Sequence, residues 1–514
     1  MKVRQRTVCH TCRAKKLGCD GKQPACSQCL LTGKRCGGYQ HDLIFVQCSL
    51  KRRAVSHARF KEPEKTSIGE LDINTYRARN TDSSSLSNKE MTVDCLTTMS
   101  SRLNRTSIDE LTALVVWHYT PECELSWLSS VWSTSRPRIC GAWVEVLPSI
   151  TGLGCHEPLL SSAIKALAVS IRNKGQGESA WKSDSIEAYG SALRSLNKGL
   201  RVITNTPSHE LVAAIMCLTL AELMIPSSES AWNAHAHVRG VSELLRISGP
   251  EIYASGILHK LFVGFRPIMI FEAFRSRRST FLALDEWKVI PFHLHPPSSM
   301  QSLLSEAVTL PAALQNSDRL EILPLDKANV LAHEALLLFF DVLRRLKRWN
   351  ESFRKEMHGP LHWPNSTSTS KSSQPTSVLI CSPTFWFPSI SVANTLTHFW
   401  AFQIICLVHI HKLESSYASL DNERFVMETE VPVRSLKDNS IELATRICQS
   451  MKYMMQNDMK LYGSTSTWFP LSAAYDIFKY YGKETEEQLA WCRGIIAQLV
   501  QSGLYITPMF SRSG

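Results

Sequence analysis

The sequence predicts a mainly α protein: a small cysteine-rich module at the N-terminus, a disordered polar linker and one large all-α helical domain. Three observations carry this reading. Six cysteines recur at regular spacing within residues 9–36. Residues 62–105 are polar, with RNTDSSSLSNKE at their centre, and hold too little apolar surface to offset the entropy of ordering. Beyond Thr106, apolar residues recur at steps of three and four, the helical period, with few β-branched alternations or hairpin signals.

The cysteine module comes first. Its spacing, Cys9-x2-Cys12-x6-Cys19-x6-Cys26-x2-Cys29-x6-Cys36, writes one half-motif, C-x2-C-x6-C, twice. A tetrahedral zinc takes four ligands, so one ion would leave two cysteines over. Two zincs need eight ligand positions, which six cysteines supply if two of them bridge both ions. By the pseudo-symmetry of the repeat, the bridging pair is the first cysteine of each half, Cys9 and Cys26. Disulfides would fit a small secreted scaffold, yet MKVRQRTVCHTC has no apolar stretch of signal-peptide type. Redox C-x2-C pairs belong to βαβ contexts, and zinc ribbons use other spacings. An intracellular protein is expected, with its sixteen cysteines mostly reduced.

Charge locates the module's partner. Residues 1–60 hold thirteen lysines and arginines against only Asp20 and Asp42, a surplus of eleven. The whole chain carries the same +11, so everything after residue 60 is neutral in sum. Such asymmetry is the footprint of a polyanion-binding module on a neutral body. A helix from near His10 to near Lys16 puts Arg13, Lys15 and Lys16 in its last turn, where cations suit the helix dipole. The major groove of double-stranded DNA accepts one helix, and lysine or arginine donates to guanine O6 and N7.

Here the chain resembles the fungal Zn2Cys6 binuclear-cluster transcription factors. The resemblance rests on the six cysteines, RAKK between Cys12 and Cys19, Asp20 after the third cysteine, Pro24 in the connecting loop, Gly33, and the exit CGGYQHDLIFV. Gly18 departs from it, standing where many members carry a further basic residue. The resemblance implies two zinc ions, a nuclear protein, and a helix end that reads a CGG triplet. Carried over by position, Lys16 contacts bases with Lys15 beside it, and Arg13, Gln28 and Lys34 hold phosphate. Three base pairs at about 1–3 kcal/mol each make a weak address in a genome. A homodimer reading two half-sites, or transcription co-regulators on neighbouring DNA, must extend it. Residues 40–105 show no sustained heptad, so dimerisation through the large domain stays open beside monomeric binding.

The linker, residues 40–105, is basic and then polar. Lys51, Arg52 and Arg53 form a nuclear-localisation candidate or extra phosphate contacts. The helical domain, residues 106–514, follows the module of residues 1–39 and this linker. Ile186, Tyr189, Leu193, Leu196, Leu200 and Ile203 mark one helix face; Leu211, Ile215, Leu218 and Ile225 a second, stopped at Pro226; Trp232, His235, Val238, Val241 and Leu245 a third, ending at Ser248-Gly249-Pro250. Residues 391–411 are membrane-like in hydropathy but interrupted by Asn394, His398, Gln403 and His409, so a buried core helix and no membrane partner are expected. Residues 365–377, NSTSTSKSSQPTS, read as an exposed loop. EAYGSALRSLNKGL, WNAHAHVRGVSELLRISGP, FRSRRSTFLALDEW and TWFPLSAAYDIF resemble, in order, the fungal-specific regulatory domain of many Zn2Cys6 proteins.

Catalytic patterns are missing from the sequence. His235 and His237 sit on different helix faces, Gly152-Leu153-Gly154 lacks the rest of a dinucleotide fingerprint, and the other ten cysteines are scattered. The chain is therefore read as no enzyme but as a transcription regulator of RNA polymerase II promoters, with a biosynthetic or catabolic gene cluster as the target class implied by the resemblance. The alternative is a zinc-cluster scaffold subunit of a chromatin or transcription complex that touches DNA without sequence preference. RAKK at the helix end favours the regulator.

Overall fold

The computed structural model describes residues 9–15, 17–20, 26–34, 36, 107–125, 139–152, 158–176, 179–201, 207–225, 230–365, 383–416 and 433–505. The chain divides into two units, Met1–Ser87 and Asn88–Gly514. In the first, two one-turn helices, α1 (His10–Ala14) and α2 (Ser27–Leu31), pack together over a small core made of cysteines. Among the described residues of this unit, the buried side chains are cysteines.

The second unit is helical, as its periodicity predicts. Its first described helix is α3 (Ile108–Tyr119), which starts at a capping box: Ser107 accepts from the Glu110 N–H and Glu110 accepts from that of Ser107. Four-residue spacing buries Leu111, Val115 and Tyr119 on one side. Then come α4 (Pro158–Asn173), α5 (Ser179–Leu200), α6 (His209–Glu222) and α7 (Ser230–Ser248). The α6 helix is apolar all round and buried at every position from Leu211 to Glu222, with α4, α5 and α7 against it. On α5 two of the five described members of the expected stripe, Tyr189 and Leu196, are buried and the other three, Ile186, Leu193 and Leu200, are partly so. Ile203, Pro226 and the side chains of Trp232 and His235 lie outside the described residues.

Further on, α8 (Gly256–Ser276), α9 (Ser299–Ala307), α10 (Leu310–Arg319) and α11 (Leu325–Glu356) lead to a second centre built on α12 (Ile390–Ser416). Against α12 pack α11, α13 (Val433–Met454) and α14 (Trp468–Tyr481), and α15 (Glu486–Gln501) closes on α14. The expectation of a buried core helix holds: the most apolar window of α12 is 89% buried. Two of its buried polar side chains find partners inside the domain. Asn394 donates to the Tyr462 hydroxyl at 2.8 Å, and His398 lies 2.8 Å from the Asn394 carbonyl, stacked on Phe271 and Phe469. Burial pushes the His398 ring down to about 4, so it is neutral. Each fully buried phenylalanine here, such as Phe274, Phe402 and Phe469, contributes about 1.5–3 kcal/mol relative to exposure.

Two features lie beyond the periodicity. Trp363–Asn365 (β1) and Thr384–Trp386 (β2) form an antiparallel ribbon in the register Trp363↔Trp386, Pro364↔Phe385 and Asn365↔Thr384. The exposed loop expected over residues 365–377 is corrected at its first residue, since Asn365 is paired in the ribbon with Thr384; residues 366–377 lie outside the described residues. A buried polar chain also joins three helices. The Tyr189 hydroxyl is 3.0 Å from His237 Nε2 and also approaches Glu222, whose carboxyl burial pushes up to about 8. Burial likewise pushes His237 down to about 4. Near neutral pH this chain is predominantly uncharged, which suits its low-dielectric setting.

Candidate metal centre and nucleic-acid interface

The two halves of the cysteine repeat fold alike. Cys9 lies just before α1, and its sulfur accepts the Cys12 N–H at 3.3 Å. Cys26 caps α2, and its sulfur accepts the Cys29 N–H at 3.3 Å. Each C-x2-C thus places two sulfurs at the start of one helical turn, as its spacing predicts. Asp20 accepts the Ser27 N–H at 3.0 Å, tying the end of the first half to the start of the second. Gly33 takes the left-handed conformation, φ 62°, which lets the chain leave α2 and the Lys34 N–H reach the Cys29 carbonyl at 3.0 Å.

The sulfurs meet in one place. Cys9 and Cys26 are 3.6 Å apart, Cys12 and Cys26 3.6 Å, and Cys9 and Cys29 3.7 Å. Thiolates held tetrahedrally at about 2.3 Å from a zinc stand about 3.8 Å from one another, whereas a disulfide requires about 2.0 Å. The six cysteines form no disulfide, and these sulfurs stand at metal-sharing distance. They compose two four-sulfur sets, Cys9, Cys12, Cys19 and Cys26, and Cys9, Cys26, Cys29 and Cys36, which share Cys9 and Cys26. Six cysteines are so positioned to bind two zinc ions.

Electrostatics agrees with a cation-dependent centre. Burial, and then the neighbouring sulfurs of Cys26 and Cys9, push the Cys29 thiol up to about 12; burial raises Cys12 also. Thiolates crowd here only with positive charge among them, and Zn2+ supplies it. Cys9, Cys12, Cys26 and Cys29 are buried while Cys19 and Cys36 are half-buried, so the shared pair sits at the dry centre.

The basic residues are placed differently from the sequence expectation in one respect. The helix stops at Ala14, and Lys15 lies in the turn that follows, because the Leu17 N–H closes back on the Cys12 carbonyl at 2.9 Å. Arg13 stays on the last turn, its side chain outside the described residues, as are Lys16, Lys51, Arg52 and Arg53. Lys15 and Lys34 are exposed, and Gln28 is half-buried on α2 with its carbonyl accepting from Thr32. The structure also shows what spacing did not: the Lys34 ammonium is near enough to hold the Lys15 ammonium below its usual lysine value. Two cations from the two halves converge on one exposed spot.

Comparison with known proteins supports this site. Residues 7–43 match the fungal Zn(2)-Cys(6) binuclear cluster domain, and residues 153–471 match the fungal specific transcription factor domain. Both belong to transcription factors, a non-enzymatic role. A curated relative, an ABC-transporter-regulating transcription factor of Aspergillus oryzae (strain ATCC 42149 / RIB 40), is 34% identical over 65 residues, 13% of this chain. The match spans 6% of that relative's length. No solved structure matches the chain. With the second family model covering more than half of its length, the chain belongs to the fungal-specific transcription factors, with a Zn(2)-Cys(6) binuclear cluster domain near its N-terminus.

Proposed function

We propose that the protein is a nuclear, sequence-specific regulator of transcription that reads CGG-type sites in promoter DNA through the cluster of residues 1–39. Residues 40–105 act as the tether, with Lys51, Arg52 and Arg53 as the import signal, and residues 106–514 as the regulatory domain. Cys9 and Cys26 bridge the two zinc ions. Lys16 reads bases, and Arg13, Lys15, Gln28 and Lys34 hold the phosphate backbone. The observation that carries this reading is the two four-sulfur sets with a common pair, on a module where Lys15 and Lys34 are exposed. A rigid metal core keeps such a basic surface in place, and phosphate is the partner that relieves the repulsion between the two ammonium groups.

The test is in vitro selection of duplexes from a random pool with the zinc-loaded full chain at physiological salt. Enrichment of CGG triplets is expected. Strong binding without enrichment, at intact zinc content, would replace this reading by a scaffold that holds DNA regardless of sequence.

A further inference from the structure

The C-terminal half of α11 is strongly basic. Residues 344–355 hold six lysines and arginines against Glu351 alone, in a chain that is neutral in sum beyond residue 60. Val342, Leu346, Trp349 and Phe353 turn one side of this stretch into the core. At about 100° per residue, Arg344, Arg348 and Lys355 fall within about 40° of the opposite, outward direction, and Lys347 lies about 60° from it. All four are exposed. The stripe extends over about 16 Å of helix axis.

The helix's own needs do not account for this surplus. Its macrodipole favours cations in the last turn, which explains Lys355 but not Arg344, Lys347 and Arg348. Nor are acids set against the stripe. Asp341 and Glu306 are drawn instead to the half-buried Arg345, at 2.9 and 3.5 Å, where the Thr309 hydroxyl also accepts at 2.9 Å. Asp341 reaches Arg344 only at 3.9 Å, and Arg348 and Lys355 make no ion pair among the described residues.

We infer that this outward stripe of α11 binds the phosphate backbone of duplex DNA, as a second, sequence-blind contact beside the cluster. Charge complementarity selects this occupant: over about 16 Å of its axis a duplex carries about nine phosphate charges. The same chain is brought to DNA by its zinc module. Once the module is bound, the stripe meets DNA intramolecularly, so a contact too weak to act alone adds to the affinity of the whole chain. The stripe contributes affinity and salt dependence, while sequence preference stays with the cluster. The inference rests on DNA binding by the module and not on which triplet it prefers.

The experiment measures binding of the zinc-loaded full chain to two duplexes, one with a CGG triplet and one without, by fluorescence anisotropy across a salt series. The variant Arg344→Gln/Arg348→Gln/Lys355→Gln removes three charges and keeps helix-forming side chains. The control Lys260→Gln/Lys452→Gln/Lys483→Gln removes three exposed charges elsewhere on the domain, so both chains have the same net charge. At about 0.1 M salt the stripe variant is expected to bind both duplexes roughly tenfold more weakly than the wild type, with the slope of log affinity against log salt reduced by about two to three. The control is expected to stay within about twofold of the wild type. The charge-keeping swap Arg344→Lys/Arg348→Lys is expected to retain the wild-type slope, an outcome that separates lost charge from lost fold. A stripe variant with the wild-type slope and affinity, as an acidic protein partner for this face would give, overturns the inference, and so does a control that loses as much. The ratio between the two duplexes in the wild type reports on the CGG reading separately, and its failure leaves the difference between stripe variant and control in place.

Discussion

Lys15 and Lys34, nineteen residues apart in sequence, stand side by side on the cysteine module, each just beyond one of its two short helices. Like charges are brought together here by the fold of the repeat against their own repulsion, which lowers the proton affinity of Lys15. Both are exposed, so the repulsion is screened by water and salt and is of little consequence for stability. For an approaching phosphate the same pair is a ready site.

Replacing either lysine by alanine is expected to leave two zincs bound and to weaken DNA binding by a similar factor on every sequence. The slope of log affinity against log salt should fall by about one for each lysine removed. Fluorescence anisotropy across a salt series measures this. In the Lys34→Ala variant the Lys15 ammonium, freed of its neighbour, should titrate higher than in the wild type, as NMR of the side chain would show. An unchanged Lys15 titration would mean that the two groups do not sense each other in solution.

Cys26 belongs to both four-sulfur sets and Cys12 to only one. Cys26→Ala should therefore lose both metals together, while Cys12→Ala should give populations holding one. Native mass spectrometry distinguishes these outcomes. Retention of two zincs in Cys26→Ala would remove Cys26 from the bridging position. Chelation of the wild type should abolish DNA binding while leaving the helical signal of the large domain largely in place, since that domain's core contains no metal group among the described residues.

Glu222 carries a pH dependence whose sign follows from its burial. Its carboxyl is raised from 4.5 to about 8 in the folded chain, chiefly by desolvation. Between these values the unfolded chain has released the proton and the folded chain still holds it, so stability falls as pH rises through the window. Glu222→Gln removes that slope. The stability difference between Gln variant and wild type should grow in favour of the variant from pH 5 to about pH 8 and then level off, as urea unfolding at several pH values would reveal. A constant difference across the series would mean that Glu222 is already ionised in the fold.

Gly264 lies on α8 where the Trp143 side chain crosses; a Cβ built there would stand 2.6 Å from Trp143 Cβ. Trp143 is buried and bonded through its ring N–H to the Tyr119 hydroxyl at 3.4 Å, so it has little room to retreat. Gly264→Ala is expected to cost about 1–3 kcal/mol by overpacking. Thermal unfolding checks this, with Gly494→Ala, at an open helical position, as the comparison expected to be neutral or slightly stabilising.

The metal centre was legible in the sequence because its signal is local. A C-x2-C pair fixes two sulfurs within one turn, and writing the half-motif twice requires no knowledge of distant contacts. The helices were legible for a similar reason, as the stripe through Tyr189 and Leu196 and the all-apolar α6 show. What escaped is long-range or very short. The meeting of Lys15 with Lys34 follows from how the halves dock, and spacing alone carries no trace of it. Tyr189 looks like one more apolar position on its stripe, yet its hydroxyl finds His237 forty-eight residues later. The β1–β2 ribbon has three residues a side, too few for an alternation to stand out beside a serine-rich run. The end of α1 was overrun because a run of lysines favours helix, whereas the return of Leu17 to Cys12 requires a turn.

The pairing of Asn365 with Thr384 makes that ribbon a natural port for added sequence. Because its two last partners face each other across one rung, whatever chain departs at 365 must come back to the same place. Its length is therefore decoupled from the positions of α11 and α12. Doubling such an excursion costs only about 0.6 kcal/mol in closure entropy. A fluorescent reporter or an affinity tag grafted there, on flexible spacers, should ride on the helical domain without prising its helices apart.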